Sequence, residues 1–582
     1  MDNLSELLLQ VQKPARYIGG EWNMVKKEWT AGRVKVLLAF PEVYEVGMSY
    51  LGLKILYGIL NKRDDCLCER VFSPWTDFEE ILKKNKMSLF SLESRRAIKE
   101  FDIIGISLAY ELNYTNVLNL LDLGGIPIKS SERGEDCPIV IAGGPACYNP
   151  EPMSEFIDAF VIGDGEDVIN EIVDSYKSTV RNPRSTNSRK KLLRELAKIH
   201  GVYVPSLYEA AYNYDGTIKS FLPKEKDLPL KIKKRVVKDL DNSFYPTDQL
   251  VPYIQIVHDR IMLEIMRGCK HACKFCQAGT TYRPRRERSK EAIVKIAKET
   301  YSKTGYEEIT LLSLSSGDHS HIKDIIDELN SEFKERGISI SVPSLRIEDS
   351  LSRLPSLISQ VKRSGLTFAP EAGSECLRKV ISKNIDIEKL MEALRESYRF
   401  GWRRVKLYFM IGLPTEKEED LGNIAKLLYK VSNLRREIDG KDAQVTASIN
   451  AFVPKPHTPF QWEPMEPVDI LSRKKNFLKD SVKSRYVEMD FNSFQMGYME
   501  AVFARGDRRL SRVVHEAWRR GAKFDGWKEH FNFNLWLESF KEKAIDPDFY
   551  ASRRRSPDEI LPWNFIDIGY SISPHVDNSA SV

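Results

Sequence analysis

Arg267-Gly268-Cys269-Lys270-His271-Ala272-Cys273-Lys274-Phe275-Cys276 holds three of the chain's eight cysteines, spaced Cys-x3-Cys-x2-Cys. It follows the apolar run Ile261-Met262-Leu263-Glu264-Ile265-Met266, which reads as a buried strand. Three thiolates this close on a loop leaving a strand can grip three irons of a cubane iron–sulfur cluster and leave the fourth iron without a protein ligand. An iron with open positions binds a small molecule, so such a cluster is a reaction centre and not only an electron carrier. The competing reading is structural zinc or plain buried thiols. Zinc usually takes a fourth protein ligand, commonly from a second Cys/His pair. No second Cys-x2-Cys occurs in the chain, and His271 is poorly placed to close a tetrahedron with its own neighbours.

Upstream of this loop, apolar strands alternate with helical stretches. Strands are expected at 33–40, near 70–72, and at 102–107, 138–144 and 159–166, with a helix running to about Asn61. That alternation predicts an open, doubly wound parallel sheet over residues 1–178, covered on both faces. Gly47, Gly52, Gly143, Gly144, Gly163 and Gly165 fall at the carboxyl ends of these strands, where such a sheet forms its ligand crevice. Tight strand-to-helix turns explain the same glycines equally well. Cys66, Cys68, Cys137 and Cys147 raise the thought of a second cluster, but Cys-x-Cys is cramped for a cubane and reads as buried thiols.

Residues 179–250 read as a basic linker: a solvated connector at about 179–196, a small hairpin around Asp215-Gly216, and the run Lys231-Ile232-Lys233-Lys234-Arg235. Strand–helix alternation resumes over 251–466, each strand ending in a polar loop with Gly or Pro, as in a barrel whose loops share one site at the carboxyl rim. A helical region and tail are expected over 467–582. Its arginines, Arg505, Arg508, Arg509, Arg512, Arg519 and Arg520, interleave with Trp518, Trp527 and Phe531. They can embrace RNA or stay in water while the aromatics pack on the barrel. The net charge of +5 over 582 residues argues for no polyanionic partner by itself. The cysteine pattern, the missing apolar span and the lack of a signal-like start imply a soluble cytoplasmic protein without a membrane partner.

The cysteine spacing, with an aromatic residue before the last cysteine, resembles the signature of the radical S-adenosylmethionine (radical SAM) superfamily. Gly143-Gly144-Pro145 and Gly163-Asp164-Gly165-Glu166 resemble the cobalamin-binding-like domain that precedes the barrel in many members. Tyr110–Asn116, Phe368–Glu375 and Phe452–Phe460 are similar to a family related to the YgiQ-type proteins. The resemblance implies a Rossmann-like domain, a partial (β/α)6 barrel, and a 4Fe-4S cluster on Cys269, Cys273 and Cys276. It also implies cleavage of S-adenosylmethionine to a 5′-deoxyadenosyl radical for hydrogen abstraction, with a flavodoxin or ferredoxin as reductant. By the same resemblance Ser315, Ser316, Gly317 and Asp318 receive the amino group of S-adenosylmethionine. Ser344 and Arg346 meet its ribose and carboxylate, and Phe275 with Ile411, Gly412 and Leu413 meets adenine. Glu371 lies at the mouth as the candidate catalytic carboxylate. Cobalamin remains open. The loop after the first strand, Glu42-Val43-Tyr44-Glu45-Val46-Gly47, lacks the Asp-x-His-x-x-Gly that supplies a lower ligand, so either cobalamin binds without imidazole or the fold was kept and the cofactor lost. If it binds, methyl transfer follows. A methylthiotransferase acting on RNA or protein, and a non-catalytic nucleic-acid-binding iron–sulfur protein, are the alternatives.

Overall fold

The computed structural model describes residues 2–180, 188–343 and 366–573. Val34–Phe40 (β1) is an unbroken apolar run apart from Lys35, and every other residue in it is buried. Such a strand needs cover on both faces, which a parallel sheet clothed in helices provides. Cys66–Phe72 (β2), Ile103–Ser107 (β3), Ile139–Gly143 (β4), Ala159–Val161 (β5) and Val202–Tyr203 (β6) join it in the order β2-β1-β3-β4-β5-β6. All pairings are parallel except β5 with β6. The chain order reverses across β1, leaving the crevice of a doubly wound sheet at the carboxyl ends of β1, β3 and β4. β2 begins at Cys66, four residues earlier than expected, so Cys66 and Cys68 are both fully buried core thiols.

The expected connector is only partly one. Residues 181–187 lie outside the described set, but Ser188–Lys198 is a helix with Leu192 and Leu196 buried. Its Arg189 guanidinium reaches the buried Asp158 carboxylate at 2.8 Å. Basic composition disguised it, because one buried ion pair and two leucines anchor an otherwise solvated helix. The hairpin is found as expected: Tyr208–Tyr212 (β7) and Ile218–Pro223 (β8) pair antiparallel around Asp215-Gly216. Ile232–Lys233 (β9), in the second basic run, pairs with a strand from the far end of the chain.

Ile261–Glu264 (β10) starts the barrel region. Met266–Arg267 (β11) and Arg286–Glu287 (β12) pair antiparallel and pinch the cysteine loop between them. Glu308–Leu312 (β13) and Ser339–Ser341 (β14) complete a parallel sheet in the order β10-β13-β14. Leu366–Glu371 (β15), Arg404–Ile411 (β16), Gln444–Ala451 (β17) and Val487–Phe491 (β18) form a second, also parallel. Six of these strands match the expected barrel. β18 extends the sheet past residue 466 with a strand from the part expected to be helical. Its alternating half-buried and exposed residues give it no apolar run to read.

Helices Phe494–Ala504, Ser511–Arg519 and Phe533–Glu542 follow. One apolar cluster runs from the N-terminal sheet through β15–β17 into these helices, while β10, β13 and β14 pack around their own. Up to residue 573 the tail is packed onto the rest of the chain. Trp563 and Phe565 are buried, and Ile566–Asp567 (β19) is the strand that pairs with β9.

Candidate active site

β10 and β11 deliver the chain to Gly268, whose φ is +87°. A Cβ there would lie 2.8 Å from the carbonyl oxygens of both Tyr282 and Pro284, so only glycine lets the loop start this close to its own return. Cys269 and Cys273 are buried and Cys276 half-buried, all as free thiols. Cys276 caps the short helix Gln277–Thr281, its sulfur accepting the Gly279 N–H at 3.2 Å. The Cys269 sulfur accepts the His271 N–H at 3.5 Å. Burial raises the Cys276 pKa, the Gly279 N–H opposes this, and the neighbouring Cys273 and Cys269 raise it further. The three sulfurs therefore share one neighbourhood.

Among the described residues, one trio of metal-binding side chains places its donor atoms within 4.8 Å of one another: Cys269, His271 and Asp318. That trio contains a single cysteine, and three thiols carried on one loop suit a multi-iron cluster. His271 reaches further than its place in the loop implied. Its Nε2 lies 2.7 Å from Asp318 Oδ2, while Lys270 Nζ lies 2.9 Å from Asp318 Oδ1. The Asp318 carboxylate, expected to receive an amino group, is contacted by the Lys270 and His271 side chains of the cysteine loop. Ser315 and Ser316 are fully buried, and Ser316 Oγ donates to the Leu311 carbonyl at 3.2 Å. Gly317 completes the tight turn Ser316–Asp318.

The later loops meet the cysteine loop as expected of a shared rim. Lys274 N–H donates to Ile381 O at 3.0 Å, and Phe460 N–H to Lys274 O at 3.4 Å. Phe275 packs into an apolar cluster with Ala372, Leu377, Leu413, Phe452 and Phe460. Phe275 and Leu413, both expected at adenine, are thus brought together. Ile411 is core: its side chain is buried at the end of β16 and its carbonyl accepts the Phe452 N–H. The Gly412 N–H is taken by Glu416 at 2.8 Å. Ser344 and Arg346 lie outside the described residues.

Glu371 ends β15 at a register shift, with a left-handed φ of +67°. Non-glycine residues in that region are strained, and such strain gathers at functional sites. Lys383 Nζ lies 3.3 Å from Glu371 Oε1, and the same lysine lowers the Cys276 pKa. Lys383 therefore stands between the cysteine loop and Glu371, which lines a cavity of about 660 Å3. Sequence reading assigned no role to three further residues on this cavity: Tyr110, Lys455 and Glu500. Lys455 Nζ lies 2.8 Å from both Glu111 and Glu500, and the Tyr110 hydroxyl donates to Glu500 at 2.7 Å. A lysine between two prolines just past a strand end was the available signal for this group.

A second cavity, of about 430 Å3, occupies the crevice of the N-terminal sheet and faces β10 and β11. Its floor is apolar, including Leu38, Ile106, Ile141 and Val161. On the barrel side Arg267 is gripped by Asp164 at 3.0 Å, Glu166 at 2.6 Å and Glu264 at 2.9 Å. Gly163 belongs to the protein's own packing. Its φ is +108° and a Cβ would lie 2.1 Å from the Arg235 carbonyl oxygen.

Residues 52–205 match the family described as radical SAM proteins, N-terminal, and residues 263–428 match the radical SAM superfamily. An uncharacterized protein of Methanocaldococcus jannaschii is 27% identical over 517 residues, 88% of this chain and 97% of that protein. A solved radical S-adenosylmethionine methyltransferase, TsrM from Kitasatospora setae with cobalamin and a 4Fe-4S cluster bound, has a TM-score of 0.51 at 12% identity. The match covers 83% of this chain and 100% of that one. At that identity the likeness is one of fold. Among the described residues no helix is long and apolar enough to cross a membrane.

Proposed function

We propose, for a chain that belongs to the radical SAM superfamily and is an enzyme of it, that Cys269, Cys273 and Cys276 hold a 4Fe-4S cluster whose fourth iron takes S-adenosylmethionine. When bound, these groups supply one-electron cleavage to a 5′-deoxyadenosyl radical able to remove hydrogen from an unactivated carbon, given a donor such as a flavodoxin or ferredoxin. The observation that carries this reading is the loop itself: three thiols spread along it, at the rim where Phe275 packs against the later loops. The donor set fits. The Gly279 and His271 N–H groups point at two of the sulfurs, which stabilises thiolate ligands. The clamp on Asp318 ties the loop's outer turn down, and Phe275 packs the loop against the apolar cluster of the later loops.

The N-terminal crevice, with about 430 Å3 of space and one side open, is where a corrinoid would lie in a doubly wound sheet. The β1 loop offers no imidazole, and its Glu45 is engaged by Lys13 and Arg16. Methylthiotransferase chemistry lacks the ligands of its second cluster: Cys66 and Cys68 lie in β2 as buried core thiols.

The test is anaerobic reconstitution with iron and sulfide, followed by visible absorbance, corrinoid analysis and assay of 5′-deoxyadenosine. Each of Cys269→Ala, Cys273→Ala and Cys276→Ala is expected to abolish the broad visible band and the cleavage. A cluster retained with full cleavage in any one of them overturns the ligand assignment.

A further inference from the structure

The cavity beside Glu371 has walls from three parts of the chain: Tyr110 from the N-terminal domain, β15 to β17 with the loop after β17, and the helix Phe494–Ala504 with the segment after residue 520. Its volume of about 660 Å3 is that of a small-molecule site, in the usual range of roughly 300–1,000 Å3. Most of its charge is already answered. Lys455 sits between Glu111 and Glu500, and Lys383 holds Glu371. Two polar groups on the wall are not. Asn450 Oδ1, near the end of β17, is buried with no hydrogen-bond partner. Lys528 lines the cavity from an exposed position and forms no ion pair among the described residues. A buried carbonyl oxygen without a partner calls for an N–H or O–H donor, and an exposed ammonium on the cavity wall is free to pair with a carboxylate. Tyr408, Met410, Val453 and Met496 offer apolar surface around them.

From this we infer that the substrate is a small molecule of amino-acid size, with a carboxylate for Lys528 and an N–H donor for Asn450, and that it is not a nucleic acid strand. The inference rests on the radical SAM reading only for calling the ligand a substrate. A polyanion has little to hold here. Glu371 and Glu500 face the cavity, and five of the six C-terminal arginines that sequence reading offered to RNA are committed elsewhere, Arg512 alone being exposed with no ion pair among the described residues. Arg505 is buried and donates to the Ala551 and Arg553 carbonyls. Arg508 pairs with Glu151, Arg509 with Asp507, and Arg519 and Arg520 with Glu516. Phosphate binding depends on free cations.

The experiment is equilibrium dialysis of the full chain against a pool of the twenty L-amino acids and, separately, against single-stranded oligouridylate, with and without the reconstituted cluster. The expected result is retention of one or a few amino acids and no retention of the RNA. Lys528→Glu, on the surface, should weaken retention at least tenfold by reversing the anchoring charge, and Asn450→Leu should do so by removing the acceptor. Gly526→Trp provides a steric arm that does not depend on refolding around a core change, since a Cβ at Gly526 meets no atom within 4 Å. It should block retention with an unchanged melting temperature. Retention of no amino acid, retention of RNA instead, or amino-acid binding indifferent to Lys528→Glu and Gly526→Trp overturns the inference. Failure of the wild-type chain to take up a cluster on reconstitution, with amino-acid retention intact, overturns the proposed function and leaves this inference standing.

Discussion

Replacing Lys455 by Met tests whether its ion pairs bolt the N-terminal domain to the barrel. Its ammonium lies 2.8 Å from Glu111 Oε1 and 2.8 Å from Glu500 Oε1, with side-chain exposures of 16%, 7% and 20% for Lys455, Glu111 and Glu500. Burial disfavours the ammonium, yet the two carboxylates outweigh it and hold the Lys455 pKa above its ordinary value. Glu111 is in the opposite state: burial raises its pKa, Lys455 lowers it, Glu500 raises it, and the net shift is upward. Methionine keeps much of the volume and removes the charge, leaving two carboxylates facing each other out of water. Breaking a buried pair from one side costs about 3–5 kcal/mol. Part of that is escaped if Glu111 takes up a proton, at about 1.4 kcal/mol per pKa unit. A carboxyl whose folded pKa is raised contributes stability that is present below its unfolded pKa and lost as pH rises through the folded value. The variant should therefore be hurt most at high pH. Urea unfolding of wild type and Lys455→Met is to be compared at about pH 5.5 and about pH 8, with Glu111→Gln added in the variant background. The expected result is a loss of about 3–5 kcal/mol at the higher pH, visibly smaller at the lower, and partly restored by Glu111→Gln. A loss below about 1 kcal/mol, or one that is the same at both pH values, refutes the reasoning.

Asp525 is almost fully buried and accepts from Thr115 at 2.6 Å and Trp536 at 2.9 Å. Burial pushes its pKa from 3.8 up to about 6, so stability should fall by about 3 kcal/mol as pH rises through that interval. Asp525→Asn should flatten that slope in pH-dependent urea unfolding and be at least as stable as wild type at about pH 8. Gly163→Ala forces a Cβ into the Arg235 carbonyl at a left-handed φ, and thermal unfolding should show a loss of about 1–3 kcal/mol or more. Asp318→Asn removes the anchor of Lys270 and His271. The reconstituted cluster should then bleach under a chelator roughly threefold faster or more, and an unchanged rate would free Asp318 from this role.

What could be read along the chain was whatever neighbouring residues encode. Apolar runs such as Val34–Phe40 and Arg404–Ile411 announced strands because sheet burial leaves a contiguous or alternating pattern. The cysteine loop pointed to the proposed chemistry because its three thiols lie within eight residues. The helix Ser188–Lys198 and β18 were missed, since the cover that stabilises them comes from Asp158 and β17, which no local pattern names. The same holds for the end of the chain: β19 is a strand only because β9, more than three hundred residues earlier, supplies its partner. Asp318 was read as a ligand-facing acid, and folding added the contacts it makes with Lys270 and His271, which no local pattern names. Lys455 belonged to a recognised segment without a role until the chain brought Glu111 and Glu500 to either side of it. Elements arise from short-range regularities written along the chain, whereas partners arise from closing loops of any length, and a Coulomb pair or an unanswered carbonyl exists only once that closure has placed both sides.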